Sequence, residues 1–264
     1  MDLQLDGKLA LVTGSTAGIG FAIARGLARE GARVIVNGRS EERVNGAIDA
    51  IKKQYGSTEV EGFVGDLSVA EVAAELTKLY FDLDILINNL GIFEPKPFVE
   101  ISDQDWTRFF EVNVLSGIRL SRFYLPRMLK KDWGRIIFIS SESALQIPPE
   151  MIHYGMTKTA QLAVSRGLAE LTAGSGVTVN AILPGPTASE GVSDFVDRLS
   201  KQSNQSATDF EKQFFEKIRP TSLLKRFAST EEIANLVVYV SSPAASATNG
   251  AALRVDGGVV RAIV

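Results

Sequence analysis

Leu9-Ala10-Leu11-Val12-Thr13-Gly14-Ser15-Thr16-Ala17-Gly18-Ile19-Gly20 decides the fold. A short apolar run enters a glycine-rich turn, after which Ile23, Leu27 and several alanines repeat at helical spacing as far as Gly31. The order is strand, glycine turn, helix. Gly14, Gly18 and Gly20 allow backbone amides and the helix N-terminus to approach a pyrophosphate, with Ser15, Thr16 and Ile19 between them. The plainer alternative is a tight turn that needs glycine for conformation only. All three glycines fall where the strand becomes the helix, which favours phosphate binding.

Further strands follow at Arg33 to Val36, Val60 to Val64, Ile85 to Ile87, Arg135 to Ile139, Val177 to Ile182 and Ala251 to Val255, with helical patterns between them. Alternation of this kind specifies an α/β fold, a doubly wound parallel sheet of about seven strands with helices on both faces, and places ligands at the carboxyl ends of the strands. Asp66, Leu67 and the run from Asn88 to Gly91 then lie on the binding edge; loop hydrogen bonding and strand capping are the plainer alternative for Asp66 taken alone. After the second strand, where an acid would hold a ribose 2′-hydroxyl, stands Arg39. A guanidinium suits a 2′-phosphate, so NADP(H) is favoured and NAD(H) is possible; the alternative is a solvated cation at a helix start. Ser40 reads as an N-cap, with Glu41 and Glu42 in the first turn.

Chemistry concentrates between Ser141 and Lys158. Tyr154 and Lys158 are four apart on one helix and share a face, which pairs a phenol with an ammonium. At about 4 Å and an effective dielectric near 20, their attraction of roughly 4 kcal/mol would bring the phenol about three pKa units down, near neutrality. Asn113 is an amide among apolar neighbours that, if buried, needs a partner, with water on the way to Lys158 as one option. His153 points to another face than Tyr154 and reads as a bystander or pocket wall.

Ser102 to Asp105 resembles a capping box, and Trp106, Phe109 and Phe110 after it read as core. Ala160, Ala163 or Val164, Gly167 or Leu168, and Leu171 form a stripe that reads as core, subunit contact or both. Pro184, Gly185, Thr187 and Ser189 sit in a rigid loop whose hydroxyls could hold a carboxamide. Beyond it come two amphipathic pieces, Val192 to Leu199 and Phe210 to Ile218. They suit a substrate lid at about 188–222, with an oligomer contact as the rival.

Composition removes other classes. The 264 residues carry 45% hydrophobic side chains and a net charge of -3, giving length for a large core and no basic footprint for nucleic acid. With no cysteine and one histidine, thiolate or histidine metal sites are not expected. No signal-like segment or membrane-length apolar run occurs, so no membrane partner and a cytoplasmic location are expected. No linker interrupts the chain, and 1–264 reads as a single dinucleotide-binding oxidoreductase domain.

Thr13-Gly14-x-x-x-Gly18-x-Gly20, Asp66, Asn88-Asn89-x-Gly91, Asn113, Ser141, Tyr154-x-x-x-Lys158 and Pro184-Gly185 occur in that order. On these motifs the chain resembles the short-chain dehydrogenase/reductases over essentially its full length. The resemblance implies that Tyr154 is the general acid/base, that Ser141 steadies the substrate oxygen, and that Lys158 lowers the tyrosine pKa and binds the nicotinamide ribose. It implies that Asn113 holds a proton-relay water, Asp66 meets adenine, Asn88 lies on the cofactor side of the sheet, and Pro184 through Thr187 to Ser189 meets the nicotinamide. Leu90 stands where such proteins usually carry alanine, which would press a bulkier side chain on the cofactor floor; Ser189 stands where threonine is common. The expected activity is interconversion of a carbonyl and a secondary alcohol on a small molecule, in a homo-oligomer for which the resemblance suggests a tetramer. A non-catalytic NADP-binding regulator and a redox-neutral epimerase or dehydratase are the alternatives.

Overall fold

The computed structural model describes residues 2–56, 58–190 and 206–263. Strand β1 (Leu9–Val12) leads through the glycine turn into α1 (Gly18–Arg29), then β2 (Arg33–Gly38), α2 (Glu41–Tyr55), β3 (Val60–Val64), α3 (Ala70–Leu79) and β4 (Ile85–Asn88). The second half runs α4 (Asp103–Phe110), α5 (Ser116–Lys131), β5 (Gly134–Ile139), α6 (Ile152–Glu170) and β6 (Val177–Pro184). The short strand β7 (Thr187–Ala188), α7 (Ala207–Gln213), the short β8 (Ala228–Ser229), α8 (Thr230–Val240) and β9 (Ala252–Val255) complete it.

Seven of these strands form one sheet in the order β3-β2-β1-β4-β5-β6-β9, every pair parallel, as the alternating pattern predicts. Strand order reverses between β1 and β4, which opens a crevice at the strands' carboxyl ends. Side chains of a strand alternate between faces, and the sheet therefore divides the apolar residues into two cores. Ala10, Val12, Ile85 and Ile87 pack with Ile23 and Leu27 of α1 and Val237 of α8 on one face. Leu11, Leu86, Ile136 and Phe138 pack with Leu120, Tyr124 and Met128 of α5 on the other. Leu67, expected among the cofactor residues, puts its side chain in this second core, 1% exposed.

Local signals account for the ends of several elements. Ser40 caps α2 by accepting from the Arg43 amide, with Glu41 and Glu42 in its first turn. Ser102 and Asp105 close a reciprocal capping box on α4. β6 runs two residues past the apolar pattern because Leu183 and Pro184 still pair with Arg254 and Val255 of β9.

α6 meets expectation in part, since Val164 and Leu168 of the apolar stripe pack against the second core. Its buried face carries Thr157, Lys158, Gln161, Ser165 and Ala169, whereas Leu171 is 63% exposed. Thr157, Lys158 and Gln161 can lie inward because hydrogen bonds to the turn after α4, to β5 and within α6 satisfy them. Of the two amphipathic pieces, Val192 to Leu199 lies outside the described residues; the other forms α7 and a π-helical turn, Phe214–Ile218. Among the described residues no helix is long and apolar enough to cross a membrane.

Candidate active site

Between β1 and α1, Gly14 and Gly18 take positive φ, +61° and +58°, which side chains rarely adopt. A Cβ on Gly20 would lie 2.5 Å from both the Gly14 carbonyl and the Asn89 amide nitrogen, so only glycine fits. No side chain caps the start of α1. Its first-turn N–H groups are thus free for an anion.

The turn is braced by residues whose role the motif did not predict. Asn37 accepts from the Gly14 amide at 3.0 Å and donates to the carbonyls of Phe63 and Gly65, tying β1, β2 and β3 together. Asn89 donates to the carbonyls of Thr13 and Gly14 at 2.9 and 3.0 Å. Ser15, expected to meet the cofactor, instead gives its hydroxyl to Val12 O and accepts from the Asn37 amide, buried in the bracing. Asn88, expected on the cofactor side, turns its side chain to Ser121 on α5; its neighbour Asn89 lines the cleft. Leu90 packs beneath Gly14 and against the second core, its Cδ1 3.5 Å from a Cβ built on that glycine, so its bulk goes into packing.

At the ends of β2 and β3, Arg39 stands 80% exposed with Asp66 4.0 Å away. Asp66 accepts from the amide and hydroxyl of Ser68 at 3.0 and 2.6 Å, which fixes its carboxylate at the sheet edge. Thr16 stands next to Gly38, where an added Cβ would meet its methyl at 2.4 Å.

A cleft of about 330 Å³ opens at the carboxyl ends of β4, β5 and β6. Ile19, Gly91, Pro184, Gly185, Thr187 and Ser189 line one end, beside the glycine turn. Ser141, Tyr154 and Lys158 line its middle. Phe93, Met151, Phe214, Ile218 and Phe227 line the other end and make it largely apolar.

Lys158 is 4% exposed and donates to Ile139 O at 2.8 Å and to Gln161 Oε1 at 3.4 Å. Burial without a carboxylate partner brings its pKa down to about 7. Its Nζ lies 5.6 Å from the Tyr154 ring centroid. Tyr154 is accordingly not drawn toward neutrality: burial pushes the phenol above its ordinary value, the Glu142 carboxylate pushes it further, and Ser141 and Arg219 pull it back. Desolvation, rather than the expected pairing with Lys158, sets the direction of the shift.

Asn113 lies in a π-helical turn, Glu111–Leu115, and is 1% exposed. Its side chain is fully engaged, accepting from Ile92 N at 2.8 Å and donating to Ile92 O and Thr157 Oγ1 at 3.0 and 2.9 Å. Gln161 donates to the Asn113 carbonyl at 2.5 Å while accepting from Lys158. A side-chain amide thus links the Asn113 carbonyl to Lys158. Its i,i+3 spacing from Lys158 was the signal that could have found it.

His153 is not a pocket wall. It is fully buried against Phe109, ring centroids 4.0 Å apart, with Trp106 at 6.0 Å, and neither ring nitrogen has a partner. Three charged residues that the motifs did not include, Glu142, Glu150 and Arg219, reach the cleft instead.

A parallel sheet with a glycine turn at its switch point and a tyrosine, lysine and serine in the adjoining cleft defines a dinucleotide-dependent oxidoreductase. The family model described as enoyl-(acyl carrier protein) reductase matches residues 14–260. The uncharacterized oxidoreductase YvaG of Bacillus subtilis is 51% identical over the whole of both chains. The 3-oxoacyl-[acyl-carrier-protein] reductase FabG of Aquifex aeolicus is 34% identical over 98% of this chain and all of its own. Among solved structures, the L-sorbose reductase of Gluconobacter frateurii, complexed with NADPH and L-sorbose, superposes with a TM-score of 0.93 at 31% identity, covering both chains fully. The chain belongs to the short-chain dehydrogenase/reductase family, as its motifs led us to expect.

Proposed function

We propose that this protein is a single-domain, NADP(H)-dependent oxidoreductase that interconverts a carbonyl and a secondary alcohol, with Tyr154 as the proton donor and acceptor. The observation that carries this reading is the meeting of Tyr154, Lys158 and Ser141 in one cleft that continues to the glycine turn. The described residues suit the nucleotide: uncapped amides at the start of α1 for the pyrophosphate, exposed Arg39 for a 2′-phosphate, and Asp66 for adenine. Gly91, Lys158 and the loop from Pro184 to Ser189 form the end of the cleft assigned to the nicotinamide and its ribose. NADPH supplies the hydride when bound.

The remaining work falls to the chain. A phenol held above its ordinary pKa stays protonated at neutrality and suits donation to a substrate oxygen, the reductive direction. Ser141 offers a hydrogen bond where negative charge develops, once its proton turns from Glu142. Lys158 and Gln161 hold the floor beneath Tyr154, with the Asn113 carbonyl as their anchor. Phe214 and Ile218 would cover an apolar part of the substrate; 3-oxoacyl thioesters and other ketones are the classes considered. A cytoplasmic homo-oligomer, with a tetramer as the suggested form, completes the proposal; exposed Phe98, Val99 and Leu223 are available for contacts.

Paired titrations of NADPH and NADH by nicotinamide fluorescence test the cofactor assignment without a substrate. NADPH should bind more tightly, and Arg39→Ser should weaken NADPH by about 10- to 100-fold, the loss of charge-assisted hydrogen bonds, while leaving NADH unchanged. Equal affinities in the wild type would make Arg39 a surface cation.

A further inference from the structure

Ser141 has one hydroxyl proton, and in this structure a carboxylate takes it. Its Oγ donates to Glu142 Oε2 at 2.5 Å and accepts from the Ser143 amide at 3.1 Å. Glu142 is 5% exposed, so its charge requires a partner within the protein. That partner is Arg219, 9% exposed, whose Nε donates to Glu142 Oε1 at 3.4 Å. The same guanidinium donates to Glu150 Oε1 at 3.1 Å and to Ile218 O at 3.0 Å. Arg219 directly follows the π-helical turn whose Phe214 and Ile218 line the substrate end of the cleft. A segment that covers the substrate therefore also carries the countercharge for the carboxylate that holds Ser141.

We propose that Arg219 and Glu142 are positioning residues for the reacting pair: their contact decides how strongly Ser141 is drawn from the cleft and how much negative charge Tyr154 meets. This rests on the reading of Tyr154 as the proton donor. Among the described residues, the charged groups that line the cleft with Tyr154 are Glu142 after β5, Glu150 before α6, Lys158 on α6 and Arg219, with the Ser141 hydroxyl beside Glu142. Glu142 opposes ionisation of the phenol and Arg219 favours it. With Glu142 neutralised, the carboxylate that opposes ionisation is gone while Arg219, still paired with Glu150, continues to favour it.

Tyrosine labelled with 13C at Cζ reports ionisation in the full-length protein without nucleotide or substrate. The chain has five tyrosines, and Tyr154→Phe identifies the signal of residue 154. Glu142→Gln should shift the Tyr154 titration down by about one pH unit or more, because the carboxylate that opposes ionisation is removed while Arg219 stays beside the cleft on Glu150. Adding Arg219→Gln should move it back up, and Arg219→Lys in the same background should keep it low. A Glu142→Gln signal that titrates like the wild type, or one indifferent to residue 219, would overturn the proposal and leave the ion pair as a staple for the covering segment. If Glu142→Gln does not fold, Arg219→Gln against Arg219→Lys gives the same comparison, with the glutamine variant expected to titrate higher; equal titrations would overturn it. The readout does not depend on turnover, so failure of the enzymatic reading would appear separately, as an inactive wild type.

Discussion

Lys158 is buried with carbonyl oxygens, from Ile139 and Gln161, for partners. Its position depends on Gln161, which is itself anchored on the Asn113 carbonyl. Gln161→Leu removes one of the two acceptors for Lys158 and strands the buried Asn113 carbonyl. Unfolding in urea should show a loss of about 1–3 kcal/mol, and NADPH binding should weaken because Lys158 then keeps only the Ile139 carbonyl. An unchanged urea midpoint would show that the bridge carries nothing. At this scale the sequence was informative about residue identity and poor about partnership. Tyr154, Lys158, Ser141 and Asn113 are all placed at or beside the cleft, as their spacing and the family motifs indicated. Glu142, Glu150 and Arg219 escaped because an ion pair spanning 77 residues, such as Arg219 with Glu142, leaves no local periodicity. The direction of the Tyr154 shift escaped for a related reason: spacing reveals a neighbouring ammonium, whereas desolvation depends on everything packed around it.

α6 carries a histidine in a place that penalises charge. Burial lowers the His153 pKa, with Asp105 and Glu94 opposing the shift and Lys96 adding to it. An unfolded chain takes up this proton near pH 6.5, whereas the folded protein resists it until lower pH. The unfolded state therefore binds more protons in that window, and stability falls as pH drops below about 6.5. His153→Leu should flatten this limb of a stability profile measured by urea denaturation from pH 5 to 7; an unaltered slope would assign it to other groups. Element boundaries were otherwise legible where a cap or a glycine marks them, as at Ser40, Ser102 and the turn from Gly14 to Gly20. The inward face of α6 was not, because its polar residues are buried through contacts that apolar periodicity does not register.

Over the whole molecule, the strand order and the two cores follow from alternating βα units and strand periodicity, and the cleft falls at the carboxyl edge that such a sheet dictates. Ligand binding should then be felt globally. NADPH at about 100 times its Kd should stabilise the protein by about 2.7 kcal/mol and raise the melting temperature by roughly 5–10 °C. NADH at the same concentration should raise it less, and an equal rise would contradict the 2′-phosphate assignment to Arg39. The central claim is that Tyr154 performs proton transfer in a nucleotide-dependent carbonyl reduction. Its most direct test is NADPH consumption against a panel of ketones and 3-oxoacyl thioesters, wild type beside Tyr154→Phe. We predict a loss of roughly 10²- to 10⁴-fold in turnover with NADPH affinity nearly intact; retained turnover in the phenylalanine variant would contradict the account.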